Sequence, residues 1–310
     1  MALYLVTGGA GFIGSHMAEE LRRRGERVRV VDSLITGHRH NLAHVPNVDF
    51  LEGDLADVAV AQRAVAGADY VLHQAAIPSV PRSVSDPITS NRANIDATLS
   101  LLVAARDAGV KRVVYAASSS AYGNTPTLPK HEEMPTFPVS PYALQKLVGE
   151  QYLQLFSSLY GLETVSIRYF NVFGPRQDPS SPYSGVISLF IKALLEGRSP
   201  TIHGDGGQTR DFTYVANVVD GALRACLAPN VSGTVMNVAT GGRVSLNDLF
   251  HALKRLIGAD VEPTYGPTRA GDVRDSQADT TRARTLLGYT PIVEFEEGLR
   301  RTVEWAKSVA

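Results

Sequence analysis

Short apolar runs, uncharged except near their ends, alternate with stretches of helical periodicity through the first half of the chain. This alternation constrains the fold more than any other feature. The runs are Leu3–Thr7, Val28–Val31, Val48–Leu51, Tyr70–His73 and Val113–Ala116. Strands buried on both faces of a parallel sheet have this composition, because helices cover each face and leave no place for a charged side chain. Between the runs, Phe12–Arg24, Asp57–Val65 and Ile88–Ala108 carry apolar residues at helical spacing, and a helix over Pro141–Tyr160 and a strand over Thr164–Ile167 continue the series. The pattern predicts an α/β protein built on a doubly wound parallel sheet of the Rossmann type.

The Gly-, Pro- and Ser-rich stretch Asn171–Ser184 interrupts the alternation. Beyond it, helices are predicted at Val186–Glu196, Val215–Ala228, Ser245–Ile257, Asp279–Leu287 and Phe295–Ser308. Residues 1–174 are expected to form the Rossmann domain and residues 175–310 a smaller, mostly helical domain, with elements interleaved. Thirty basic against thirty-one acidic side chains leave a net charge of −1, so no global field attracts nucleic acid or an anionic membrane. No apolar stretch approaches the ~18 residues of a membrane span. The single Cys226 cannot form an intramolecular disulfide, and the first residues lack a basic, cleavable leader. A cytoplasmic protein that binds neither nucleic acid nor membrane is the expectation.

Thr7-Gly8-Gly9-Ala10-Gly11-Phe12-Ile13-Gly14 follows the first strand directly and opens a helix. Glycines at Gly8, Gly11 and Gly14 let a pyrophosphate approach the backbone and the helix pack close to the strand, and the helix N-terminus offers free N–H groups. Asp32 ends the second strand, eighteen residues beyond Gly14. A carboxylate there accepts hydrogen bonds from ribose hydroxyls and repels a 2′-phosphate, which favours NAD over NADP. Asp54 and Leu55, after the third strand, are placed to line the adenine.

Tyr142 and Lys146 stand four apart at the start of a helix and so share a face. A phenol with a pKa of ~10 is a poor base at neutral pH, and a neighbouring ammonium that favours the phenolate makes it a usable one. Upstream, the strand ending at Ala117 leads into Ser118-Ser119-Ser120. Carboxyl ends of strands are where ligands bind in such sheets, so these hydroxyls are expected to face the nicotinamide end.

These residues resemble the extended short-chain dehydrogenase/reductases, and within them the UDP-sugar 4-epimerases, along essentially the whole chain. The resemblance is carried by TGGAGFIG at 7–14, Asp32, GDL at 53–55, HQAA at 73–76, ASSSAYG at 117–123, SPYALQK at 140–146, RYFNVFGPRQDP at 168–179, TRDFTYV at 209–215 and RAGDVRDSQAD at 269–279. It implies that Tyr142 removes the sugar 4-OH proton while C4 gives hydride to a permanently bound NAD. Lys146 lowers the phenol pKa and holds the nicotinamide ribose, and Ser118, with Ser119 beside it, bonds the 4-oxygen. Phe12, Ile13, Gln74, Ala75, Ala76 and Asn94 join the glycines around the cofactor.

On the substrate side the resemblance assigns Arg210 and Arg269 to the diphosphate of a UDP-sugar, Asn171 to a phosphate oxygen and Asp272 to the uridine ribose. Arg176 is a neighbour of that group, and Ser79 and Arg82 reach the sugar. Ser276, four residues after Asp272, borders the pocket for the C2 substituent, where a tyrosine excludes an N-acetyl group. A homodimer through two long helices of the first domain is also implied. UDP-glucuronate 4-epimerases share the pattern. Nucleotide-sugar dehydratases and decarboxylases place a carboxylate where this chain has Ser119-Ser120-Ala121, and a non-catalytic dinucleotide-binding protein has no need of Tyr142 and Lys146. His38, His40 and His44 lack partners at metal-ligand spacing, so no metal is expected, and His73 reads as a packed, hydrogen-bonded residue.

Overall fold

Alternate residues of the first strand, β1 (Leu3–Thr7), enter two different apolar cores, because successive side chains of a strand point to opposite faces. Leu3 and Leu5 join Val31, Val71, Val113 and Tyr115 on one face. Tyr4 and Val6 join Val30, Leu72, Val114 and Ile167 on the other. The structure, a computed structural model, describes residues 1–179, 185–268 and 273–309. Its main sheet adds β2 (Arg27–Asp32), β3 (Val48–Glu52), β4 (Tyr70–His73), β5 (Arg112–Ser118) and β6 (Glu163–Tyr169). All pairings are parallel, in the order 3-2-1-4-5-6, and Thr234–Val238 lies beyond β6 as a seventh strand. Chain direction along the sheet reverses between β1 and β4, which opens a crevice at the strands' carboxyl ends.

Helices α1 (Phe12–Arg23) and α2 (Val58–Val65) follow β1 and β3. Two short helices come next, α3 (Val80–Ser85) and α4 (Pro87–Asn91), then α5 (Ala97–Asp107) and α6 (Pro141–Tyr160). Ser140 caps α6 by accepting from the Ala143 N–H, Pro141 fills a first-turn position that needs no donor, and Gly161 ends the helix at φ 68°. The remaining helices are α7 (Val186–Leu195), α8 (Val215–Leu227), α9 (Leu246–Ile257), α10 (Thr281–Leu287) and α11 (Phe295–Val309). Buried residues of α8 share one apolar cluster with α1 and the sheet. The second half of the chain therefore supplies both a strand and a covering helix to the first.

Besides short unpredicted strands such as Asn171–Phe173 and Phe212–Tyr214, the structure departs from the predicted elements in ways that bear on the site. The helix expected over Ile88–Ala108 starts at Pro87 and is interrupted by a π-helical turn at Arg92–Asp96, which turns Asn94 into the interior. Helix α3, capped by Ser79 through the Arg82 N–H, was not predicted. Nor was the strand Thr234–Val238, whose central polar residue, Asn237, is fully buried and bonded to the Tyr122 hydroxyl and to the Lys130 and Asp279 carbonyls.

Candidate active site

The crevice is a cleft of ≈ 890 Å³ along the carboxyl ends of the strands. At one end Gly8, Gly11, Phe12, Ile13 and Gly14 form its floor and Asp32 closes it. Gly8 has φ +64°, and a Cβ there would sit 2.8 Å from the Ala75 backbone. A Cβ on Gly14 would collide with the Gly8 carbonyl. Helix α1 has no side-chain cap, so its first N–H groups open onto the cleft. The Asp32 carboxylate accepts from the Ala10 and Leu34 N–H groups at 2.9 and 2.8 Å. Asp54, Leu55, Gln74, Ala75 and Ala76 continue the wall, with Asp54 held by Arg92. The side-chain oxygens of Gln74 and Gln177, both in the wall, are buried without a hydrogen-bond partner among the described residues. A backbone cradle for phosphate, a carboxylate for ribose and orphaned acceptors that need donors together fit a dinucleotide with a polyhydroxylated ligand beside it.

Ser118, Tyr142 and Lys146 form the opposite wall. Ser118 ends β5 and accepts hydrogen bonds from both the N–H and the hydroxyl of Ser120, at 3.2 and 2.8 Å. Its own proton is thereby free for the Tyr142 oxygen, to which it is hydrogen-bonded. Ser119 is absent from the described lining; the hydroxyl joined to Ser118 belongs to Ser120, because Ser118 is the N-cap of the short 3₁₀ turn after β5 and accepts from the residue two positions on. Tyr142 is held at its backbone N–H by the Ser83 hydroxyl of α3, at 3.0 Å.

Burial raises the Tyr142 phenol above its ordinary value, and the Ser118 hydrogen bond opposes the rise. Burial brings the Lys146 ammonium down to about 7. Lys146 donates to the Ala116 carbonyl at 2.8 Å.

Behind this wall runs a buried polar chain. The Gln74 and Ala75 N–H groups donate to the Thr7 hydroxyl, each at 3.1 Å, and that hydroxyl lies 2.7 Å from His73 Nδ1. Thr98 gives its proton to the Asn94 carbonyl, so it accepts from His73 Nε2 at 2.9 Å. His73 is therefore the Nε2–H tautomer, and burial keeps it neutral, with a pKa lowered to about 3. Asn94 does not line the described cleft. Its side chain accepts from the Ile77 N–H and donates to Gln145 Oε1, each at 2.8 Å, linking the chain to α6.

Ser79, Arg82 and Asn171 line the cleft. The Asn171 N–H donates to the Asp211 carbonyl, which sets Arg210 beside the cleft rather than in its described wall. Arg210 donates to the Thr209 and Arg274 carbonyls, and the Ser276 N–H also donates to Thr209. Arg269 and Asp272 lie outside the described residues. Arg176 is turned away from the cleft: at φ 67° it binds Glu19 and His16 of α1, the Asn41 carbonyl and His44. It anchors the cleft-wall segment to the phosphate-loop helix. Phe170 and Gln177 line the cleft unforeseen, although both lie in the same motif as Asn171.

Residues 4–239 match the NAD dependent epimerase/dehydratase family. A UDP-glucose 4-epimerase of Mycolicibacterium smegmatis is 42% identical over 98% of both chains. The UDP-N-acetylglucosamine 4-epimerase of Methanobrevibacter ruminantium, solved with UDP-N-acetylmuramic acid, is 40% identical with a TM-score of 0.95, covering 100% of this chain and 99% of that one. The UDP-glucose 4-epimerase of Thermus thermophilus, solved with NAD, is 37% identical with a TM-score of 0.91, covering 99% and 100%. With the glycine cradle, Asp32 and the Ser118–Tyr142–Lys146 wall on one cleft, the chain belongs to the NAD dependent epimerase/dehydratase family, as an extended short-chain dehydrogenase/reductase whose cofactor is NAD.

Proposed function

We propose that the protein is a UDP-sugar 4-epimerase that interconverts UDP-N-acetylglucosamine with UDP-N-acetylgalactosamine, and UDP-glucose with UDP-galactose, through a 4-keto sugar. The observation that carries this reading is the convergence of Ser118 and Tyr142 on one cleft wall, with Lys146 one turn along the same helix. NAD, when bound along the glycine cradle and Asp32, would supply reversible hydride-acceptor chemistry for the sugar C4. Tyr142, as the phenolate, takes the 4-OH proton; Ser118, itself bonded by Ser120, favours that phenolate with its free proton and bonds the sugar 4-oxygen on which charge develops. Lys146 adds positive charge near the same point. Ser79 and Arg82 border the hexose and Asn171 a phosphate oxygen, all three in the cleft wall, while the resemblance gives Arg210 and Arg269 to the diphosphate and Asp272 to the uridine ribose. A firm hold on the diphosphate with a looser hold on the hexose lets the keto sugar turn over between the two hydride transfers.

The test is NMR of the purified protein, without added NAD, mixed separately with UDP-glucose, UDP-N-acetylglucosamine and UDP-glucuronate. Conversion of the first two supports the reading. Conversion of the glucuronate alone makes the protein a UDP-glucuronate 4-epimerase, and loss of water or carbon dioxide makes it a lyase.

We also infer a homodimer. Leu144, Leu155 and Leu159 are exposed along α6 and run beside the half-buried Leu99 and Val103 of α5. Two copies packed through this face would bury it in a four-helix interface. Light scattering after gel filtration should give twice the monomer mass.

A further inference from the structure

The Lys146 ammonium sits in an almost dry site, with 4% of the residue exposed. It carries three donors, and the hydrogen bond it makes among the described residues is to the Ala116 carbonyl. A second compensation comes from the preceding residue of β5. The Lys146 nitrogen lies 4.8 Å from the centroid of the Tyr115 ring, within the ~6 Å over which an aromatic face attracts a cation.

That ring has almost no freedom. Tyr115 is 1% exposed, and its hydroxyl enters a notch in α6 at Gly149, where any Cβ would collide with it. The same hydroxyl lies 3.5 Å from the Lys146 carbonyl. The His73 ring packs against Tyr115 at 5.5 Å between centroids, tilted by 36°. Three elements, β4, β5 and α6, thus fix the plane on which the ammonium rests. Burial keeps the Tyr115 phenol protonated, so the ring stays a neutral π surface.

We propose that Tyr115 is a positioning residue for Lys146, its ring face holding the amine at the cleft wall and favouring the charged form. This rests on the reading of Lys146 as the group that assists Tyr142. The other titratable groups around the lysine do not supply that compensation. Tyr142 and Glu150 share its helix, but Tyr142 is a phenol held protonated and Glu150 is committed to Arg168 through two hydrogen bonds, at 2.9 and 2.6 Å. His73 on β4 is neutral. Arg82 on α3 is a cation, and Arg92 and Asp96 on the π-helical turn are exposed and bound to Asp54 and Asn91. Tyr122, after β5, gives its hydroxyl to Asn237.

The test replaces Tyr115 with phenylalanine and then with difluoro- and pentafluorophenylalanine in the full-length protein. These rings share a shape while the attraction of the face for a cation falls. The Lys146 titration is followed by NMR of ¹³C-labelled lysine, assigned with Lys146→Met, and the pH profile of turnover is measured in parallel. Tyr115→Phe should titrate like the wild type, and the pentafluoro ring should lower the Lys146 pKa by about one unit. The alkaline limb of turnover should move down with it. A Lys146 pKa unchanged across the series overturns the proposal, as does an equal fall for Tyr115→Phe and the fluorinated rings. If the lysine pKa moves and the turnover profile does not, the ring–ammonium coupling stands and the role given to Lys146 in turnover fails.

Discussion

Replacing Lys146 by methionine should stabilise the protein while abolishing its activity. A folded-state pKa of about 7 against an unfolded value of ~10.4 corresponds to ~3.4 units at ~1.36 kcal/mol each, an upper limit of ~4–5 kcal/mol. Because the folded value is depressed, the unfolded chain binds the extra proton between the two values. Stability of the wild type therefore rises with pH from about 7 to about 10.4, and the penalty is fully present only below that window. Lys146→Met removes the penalty but also loses the hydrogen bond to Ala116 and the contact with Tyr115, together ~1–2 kcal/mol. Local relaxation around a buried charge reduces the penalty further. The net expectation is a gain of ~1–3 kcal/mol near pH 7 that shrinks as pH rises and becomes a small loss above pH ~10.4. Urea unfolding of nucleotide-stripped protein at a series of pH values measures this directly, since bound nucleotide would add its own stabilisation. A variant less stable than the wild type at pH 7, or a stability difference that does not change with pH, would refute the reasoning.

Tyr142→Phe should lower turnover by ~10²–10⁴-fold with little change in UDP affinity by calorimetry, because the phenolate acts in the transition state. Gly14→Ala places a Cβ on the Gly8 carbonyl, so denaturing the purified variant should release at least about tenfold less NAD than the wild type, by the affinity arithmetic of ~1.4 kcal/mol per decade. Arg176→Met cuts the anchor between the cleft wall and α1. It should lower thermal stability and NAD retention while leaving UDP affinity within about twofold of wild type; a selective loss of UDP affinity would return Arg176 to the diphosphate.

The phosphate loop, Asp32 and the Tyr142/Lys146 pair were legible in the sequence because each depends on local spacing. Gly8 to Gly14 spans one turn and a helix start, Asp32 ends the next strand, and a four-residue step fixes a helix face. What the sequence hid depends on residues distant in the chain. Arg176 has the chemistry of a phosphate ligand, and only packing against α1 brings Glu19 and His16 to it. The π-helical turn shifts the helical phase by a single residue inside an apolar-rich stretch, so periodicity passes over it, yet it decides that Asn94 faces Ile77 and Gln145. Thr234–Val238 was missed because Asn237 breaks its apolar run, and partners on three other segments account for that amide. The choice between Ser119 and Ser120 turns on whether the strand's alternation continues past Ser118; it gives way to a 3₁₀ turn.

Substrate size is the question on which the geometry around Ser276 bears most. Its N–H donates to the Thr209 carbonyl at 3.1 Å, next to Arg210, and Thr209 also binds the Asp275 carboxylate, at 2.6 Å from its hydroxyl. The backbone at Ser276 and the side chain just before it are thereby tied to Thr209. The Ser276 hydroxyl is buried and lacks a hydrogen-bond partner among the described residues. Ser276 is not in the described lining of the cleft; the resemblance places it at the C2 substituent, where a bulky phenol would reject a ligand by overlap more strongly than a missing contact weakens one. Ser276→Tyr should therefore reduce turnover of UDP-N-acetylglucosamine by at least ~10²-fold, the discrimination that ~3 kcal/mol of steric exclusion gives. UDP-glucose turnover should stay within about tenfold of wild type, because the smaller C2 hydroxyl does not reach the added ring. Paired coupled assays on the two substrates read the ratio directly, and an equal loss on both would place the size filter elsewhere in the cleft.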